Sequence, residues 1–152
     1  RIAQIDAEDH DTMDVADFER AEAAGQFALS WGAHGLRYGI RKSCLAGIAR
    51  GETAIVNVSR AVISMAEAGF DQVTVLSIVC DPALLARRIA GRGRETADEI
   101  EARLRREVPL SVSNAKLVEI RNETTMQDAL EPFLAAIRES AVLSEAGHSQ
   151  RA

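Results

Sequence analysis

Two short apolar runs, Ala54-Ile55-Val56-Asn57-Val58 and Val73 to Cys80, constrain the fold of this chain more than any other feature. Both are rich in β-branched residues and largely lack alternating polar ones, the pattern of parallel strands buried on both faces. Each is followed by a residue that caps helices, Ser59 after the first and Asp81 with Pro82 after the second. Strand, helix, strand, helix in that order implies an α/β fold around a parallel sheet with right-handed crossovers. Lys116 to Ile120 supplies one more expected strand.

The flanking segments read as shorter elements. Residues 1–13 are polar and acidic and read as a loop. Asp14 caps a helix to about Ala24, in which Val15, Phe18 and Ala21 or Glu22 turn an apolar side inward until Gly25 stops it. Phe27 to Trp31 and Leu36 to Ile40 flank the turn Gly32–Gly35, and the pair reads as a small hairpin. Arg41 to Arg50 has helical spacing and stops at Gly51. Thr96 to Glu99 is a capping box for a helix to about Glu107, with Pro109 beyond it. Thr124 with Gln127 starts another helix, to about Leu143, in which Pro132 can impose a kink, and the residues from Ser144 are expected to fray.

The 152 residues, 47% of them apolar, suit one domain over 1–152 that buries a core without disulfides. A net charge of -5 argues against a nucleic-acid binder, which needs a positive surface to displace counterions. Nothing approaches the roughly 18 apolar residues of a membrane helix, so a soluble cytoplasmic protein without a membrane partner is expected. Cys44 and Cys80 have no metal-ligand spacing and read as reduced, buried thiols. Glu8, Asp9 and His10 are open to two readings, metal ligands or acceptor contacts; three adjacent residues rarely converge on one ion, so no metal site is expected. Trp31 is expected in the core, and His34 reads as a hairpin residue rather than a general base.

Seven arginines against four acids make the stretch 87–106 positive in an otherwise acidic chain. Arg88 and Arg92 lie one helical turn apart, Arg103 and Arg106 are spaced to share a face, and Gly91 and Gly93 loosen the connection. Planar, permanently charged guanidinium groups bind the equatorial oxygens of a transferred phosphoryl group, and a mobile lid excludes water. A solvated helix face laced with Glu and Arg pairs is the other reading of this composition.

Five ordered blocks carry a family resemblance. They are Glu8-Asp9-His10, Ala28-Leu29-Ser30-Trp31, His34-Gly35-Leu36-Arg37-Tyr38-Gly39, Val56-Asn57-Val58-Ser59-Arg60 and Arg92-Gly93-Arg94-Glu95. Together they resemble the ribose 1,5-bisphosphate phosphokinases of bacterial phosphonate catabolism, relatives of the guanylate kinases. The resemblance implies a three-layer P-loop kinase-like parallel sheet, an acceptor-binding hairpin over 27–40 and a helical arginine lid over 87–106. It implies that Arg88, Arg92 and Arg103 act on the transferred phosphoryl group, that Arg88, Arg92, Arg94, Arg106 and Asn122 bind ATP, and that Arg1, Ser30, Tyr38 and Asn57 bind the acceptor. Asn122 also reads as a plain surface turn residue, and Ser59 as a plain helix cap.

Guanylate kinases carry a guanine-reading Glu where this chain has Ser30, and an Asp where it has Asn57. One hydroxyl in place of a carboxylate leaves ligand donors unpaired, which costs about 1 to 3 kcal/mol per group. Both changes remove a carboxylate near the acceptor, as expected for a sugar bisphosphate that a carboxylate would repel. The resemblance therefore implies an ATP- and Mg2+-dependent kinase that makes 5-phospho-α-D-ribose 1-diphosphate (PRPP). A guanylate or other nucleoside monophosphate kinase is the alternative, and a homodimer is left open. The Gly-x-x-x-x-Gly-Lys loop that cradles ATP phosphates is absent from the sequence, so the first strand and P-loop are expected to be missing from this chain. A catalytically inactive binding module is the third expectation.

Overall fold

The computed structural model describes residues 11–33, 35–91 and 109–149, with 142–149 described by their backbone alone. The chain divides into two compact units, Arg1–Ala46 and Gly47–Ala152.

The first unit is a helix packed on a hairpin. Helix α1 spans Val15–Ala23 and begins as expected at Asp14, whose carboxylate accepts the Asp17 N–H at 2.7 Å. That backbone hydrogen bond holds the Asp14 carboxyl below its ordinary range. Gly25, at φ 65°, turns the chain in the left-handed region that glycine adopts without strain. Strands β1 (Phe27–Ala33) and β2 (Leu36–Arg41) then pair antiparallel, with Ser30 opposite Gly39, Trp31 opposite Tyr38 and Gly32 opposite Arg37. The register slips between Phe27 and Leu29, and this bulge brings Phe27 onto the face that meets α1. Phe27 stacks there on Phe18 at 4.6 Å between ring centroids. A β-carbon at position 39 would lie 2.6 Å from the Phe27 ring, so glycine is required beneath that ring. Phe18, Ala21 and Leu29 are buried. Val15, expected on the inward side, is 67% exposed, because it is the second turn of α1 that packs over Phe27.

The second unit is a small mixed α/β body built on a parallel pair. Strands β3 (Thr74–Val79) and β4 (Lys116–Arg121) run in register from Thr74 opposite Lys116 to Val79 opposite Arg121. Asp81 accepts the N–H groups of Ala83 and Leu84 at 2.9 and 3.1 Å and, with Pro82, starts helix α3 (Pro82–Ala90), as the sequence predicts. Ser59 caps a short 3-10 helix, Arg60–Val62, that runs into α2 (Ile63–Gly69). Helix α4 spans Met126–Ser149 and contains Pro132 without ending there. Val62, Ile63, Ile89, Ile120 and Ala136 form the core.

Several expectations are corrected. The run Ala54–Val58 takes no part in either sheet, and Ile55 and Val56 are 62% and 40% exposed. A buried strand needs a neighbour to satisfy its N–H and C=O groups, and among the described residues the parallel sheet is β3 with β4. For the same reason Ile78 on β3 stays 57% exposed. The helical spacing of 41–50 is realised as a 3-10 helix, Lys42–Arg50, that buries no residue, which leaves Cys44 exposed; Cys80, after β3, is half-buried. The capping box before α4 is Thr125 with Asp128: Thr125 Oγ1 accepts the Asp128 N–H at 3.2 Å and the Asp128 carboxylate accepts the Thr125 N–H at 3.1 Å. It sits one residue beyond the expected Thr124 and Gln127 box. Residues 144–149, expected to fray, continue α4. The Thr96 box lies outside the described residues.

The Glu67 carboxylate, on α2, accepts three consecutive N–H groups, those of Ser113, Asn114 and Ala115, each at 2.8 Å. These backbone hydrogen bonds, that of Ala115 foremost, lower its pKa from the ordinary 4.5. A carboxylate so held stabilises the fold above its unfolded pKa, and the stabilisation is lost as the pH falls through the lowered folded value. Glu67→Gln is therefore expected to lower the melting temperature at neutral pH, with the difference from the native protein shrinking in acid below pH 4.5. Thermal melts at stepped pH read this directly. Among the described residues Ile120, 1% exposed beneath α4, is the largest fully buried side chain. Ile120→Ala is expected to cost about 2 to 5 kcal/mol in urea unfolding, a truncation plus the cavity it leaves.

Candidate active site

The hairpin presents two different faces. Directly opposed residues of antiparallel strands project to the same side, and their neighbours to the other. Ser30, Arg37 and Gly39 therefore share the face toward α1, whereas Trp31 and Tyr38 share the opposite one. Ser30 and Tyr38, both expected at the acceptor site, are carried by one hairpin but on opposite faces. Trp31 is half-buried rather than a core residue, and it stacks on Tyr38 with ring centroids 5.4 Å apart and 13° between planes. The stack fixes the tyrosine ring, which leaves its hydroxyl as the polar end of an otherwise apolar pair.

On the α1 face the decisive residue is one the sequence reading did not single out for function. The Glu22 carboxylate accepts the Ser30 hydroxyl at 2.8 Å on Oε1 and the Arg37 guanidinium on Oε2. Those bonds, Ser30 first, hold its carboxyl below the ordinary range. The Arg37 guanidinium also lies over the Phe18 ring, 5.0 Å from its centroid. The strand position itself carries no carboxylate, and the carboxylate beside Ser30 is that of Glu22 on α1. The available signal was spacing, since Glu22 follows buried Phe18 by one helical turn and so lies at the edge of the packed face.

In the second unit two expected ATP contacts meet. Arg88 in the last turn of α3 donates from Nη1 to the Asn122 carbonyl oxygen at 2.6 Å, and the Asn122 N–H donates to Val79 at 2.8 Å. Both residues thus gather where β3 and β4 end, the side on which open α/β sheets bind ligands. A cleft of about 300 Å³ opens there, lined by Val79 to Pro82 and by Glu119, Arg121 and Glu123. Its acids suit a base or hydroxyl better than a phosphate, whereas Arg88 keeps further N–H donors for an anion. Asn57 is exposed in the irregular segment before Ser59, which serves as the expected cap. Arg1, Glu8, Asp9, His10, His34, Arg92, Arg94, Arg103 and Arg106 lie outside the described residues, as does most of the expected lid. Among the described residues no group of three His, Cys, Asp or Glu side chains is placed to hold a metal ion. No helix among them is long and apolar enough to cross a membrane.

No protein-family model matches the chain. It is 44% identical over 135 residues to the ribose 1,5-bisphosphate phosphokinase PhnN of Brucella melitensis, covering 89% of this chain and 70% of that protein. The corresponding phosphokinase of Agrobacterium fabrum is 33% identical over 145 residues, which cover 95% of this chain and 79% of the relative. The bifunctional ribose 1,5-bisphosphokinase-thymidine phosphorylase of Azorhizobium caulinodans is 36% identical over 137 residues, 90% of this chain and 20% of the longer protein. These relatives place the chain in the kinase class of phosphotransferases. It belongs to the ribose 1,5-bisphosphate phosphokinase family.

The chain has a single Trp and a single Tyr, so its intrinsic fluorescence reports on the stack. Tyr38→Ala is expected to shift the Trp31 emission to longer wavelength by opening the ring to water, and Tyr38→Phe to leave it in place.

Proposed function

We propose that the protein transfers the γ-phosphoryl group of ATP to the 1-phosphate of ribose 1,5-bisphosphate, giving ADP and 5-phospho-α-D-ribose 1-diphosphate. The observation that carries this reading is the 44% identity to a kinase of that name over 89% of the chain. In the transfer an oxygen of the 1-phosphate forms the new P–O bond, the bond from the γ-phosphorus to the β,γ-bridging oxygen breaks, and that oxygen leaves with ADP. An already anionic acceptor needs no strong base, so positioning and charge stabilisation carry the catalysis.

The fold is proposed as one kinase-like domain over 1–152 with a three-layer sheet, an acceptor hairpin at 27–40 and a lid at 87–106. Tyr38 and Arg1 hold the acceptor phosphate, Ser30 and Asn57 contact the sugar side, and Arg88, Arg92 and Arg103 surround the transferred group. Arg94, Arg106 and Asn122 complete the ATP contacts. Bound ATP supplies the phosphoryl group, and the Arg88 guanidinium, held by a neutral carbonyl, retains the charge to meet its phosphates. Mg2+ would be held chiefly by the ATP phosphates and water, where it would neutralise charge on the phosphates.

Glu22 gives one specific reason to test a nucleotide acceptor, because it returns a carboxylate to the neighbourhood of Ser30. Incubation with ATP and either ribose 1,5-bisphosphate or GMP decides the matter: faster turnover of the sugar is expected, and faster turnover of GMP overturns the proposal. Arg88→Ala is expected to lower kcat roughly 10²- to 10³-fold, the scale of one lost donor to transition-state charge. Tyr38→Phe is expected to raise KM for the acceptor about tenfold, one charge-assisted hydrogen bond.

A further inference from the structure

The α1 face of the hairpin holds a polar cluster whose direction of hydrogen bonding is fixed. Ser30 has one O–H, and it is donated to Glu22 Oε1 at 2.8 Å. Toward any ligand the Ser30 oxygen can therefore only accept. Glu22 Oε2 is occupied by Arg37, which sets the plane of the carboxylate, and each of its oxygens keeps a further lone pair. The Glu22 side chain is 35% exposed and Ser30 is half-buried, so these lone pairs are within reach of a small molecule.

We propose that Glu22 is a specificity-determining residue of the acceptor site, forming with Ser30 a pair of acceptors that takes hydroxyl protons from the sugar. This inference rests on the ribose 1,5-bisphosphate reading above and names the residues that read the sugar within it. A phosphate at this pair would bring acceptor against acceptor and charge against charge, so the pair selects the hydroxylated edge of the ligand. The remaining N–H donors of Arg37 lie beside it and suit a phosphate oxygen at the other end. Separate sugar hydroxyls can donate one to the remaining lone pair of Oε1 and one to Ser30 Oγ.

The experiment compares kcat/KM of the purified protein for ribose 1,5-bisphosphate with that for its 2-deoxy and 3-deoxy analogues, in the native protein and in Glu22→Gln and Ser30→Ala. The native protein is expected to prefer the full sugar over at least one analogue by about tenfold or more, the scale of one hydrogen bond to a charged group. Both substitutions are expected to bring that ratio toward one. Ser30→Ala keeps the Glu22 to Arg37 bond, and so guards against a loss of fold in Glu22→Gln. A purely structural role for Glu22 would lower turnover of all three sugars alike and leave the ratio unchanged, which overturns the inference while the kinase reading stands. A native protein that fails to turn over ribose 1,5-bisphosphate removes that reading and the inference with it.

Discussion

Within each unit, one glutamate collects hydrogen-bond donors from elements distant in sequence, and the local geometry follows from that. In the first unit Glu22 gathers Ser30 of β1 and Arg37 of β2, so the helix, both strands and the hairpin register are tied at one carboxylate. In the second, Glu67 gathers three successive backbone N–H groups immediately before β4 and sets where that strand begins. The entry point matters because β4 runs parallel to β3, and a parallel partner is positioned by its approach rather than by a tight turn. Once β4 starts at Lys116, its end falls at Arg121, and Asn122 comes within reach of Arg88. A contact 34 residues apart in sequence thus depends on a loop held by a third element.

Most of the elements were legible in the sequence because they are written in local chemistry. Asp14 before α1, Asp81 with Pro82 before α3, and Gly25 after α1 act within one turn of the residues they satisfy, and the structure uses all three as their types suggest. The run Ala54–Val58 departs from its sequence pattern for the opposite reason. Its β-branched residues say that the segment suits a sheet, but pairing depends on a neighbour that a linear pattern does not contain. The box before α4 slipped by one residue because Thr124 and Thr125 are chemically alike and Asp128 serves where Gln127 was expected.

The site was legible as residue types and less so as geometry. Ser30 and Tyr38 stand in recognisable blocks, yet a strand has a period of two, and one step of register decides which face each residue occupies. The bulge between Phe27 and Leu29 belongs to that register, and it is set by Phe27 stacking on Phe18 in α1. The spacing of Glu22 from Phe18 puts it at the edge of the packed face of α1, but does not say which strand hydroxyl it meets eight residues on. Position 30 alone says that the strand lacks a carboxylate, and it says nothing of the Glu22 carboxylate that the helix brings beside it.

Arg37 and Arg88 differ in the charge they can offer an anion. Arg37 is paired with a carboxylate, so an approaching phosphate meets a nearly neutral pair and must compete with Glu22 for N–H donors. Arg88 is held by a backbone carbonyl, which fixes its direction while leaving its full positive charge. Two unit charges at 4 Å in a medium of effective dielectric near 20 interact by about 4 kcal/mol, so the difference outweighs that of a single neutral hydrogen bond. Under the proposed function, Arg88 is therefore the better suited of these two to the strongly charged nucleotide phosphates. Under the same proposal, the Glu22 and Arg37 pair suits selection of shape and hydroxyl pattern in the acceptor, where excess attraction for any phosphate would blur the choice.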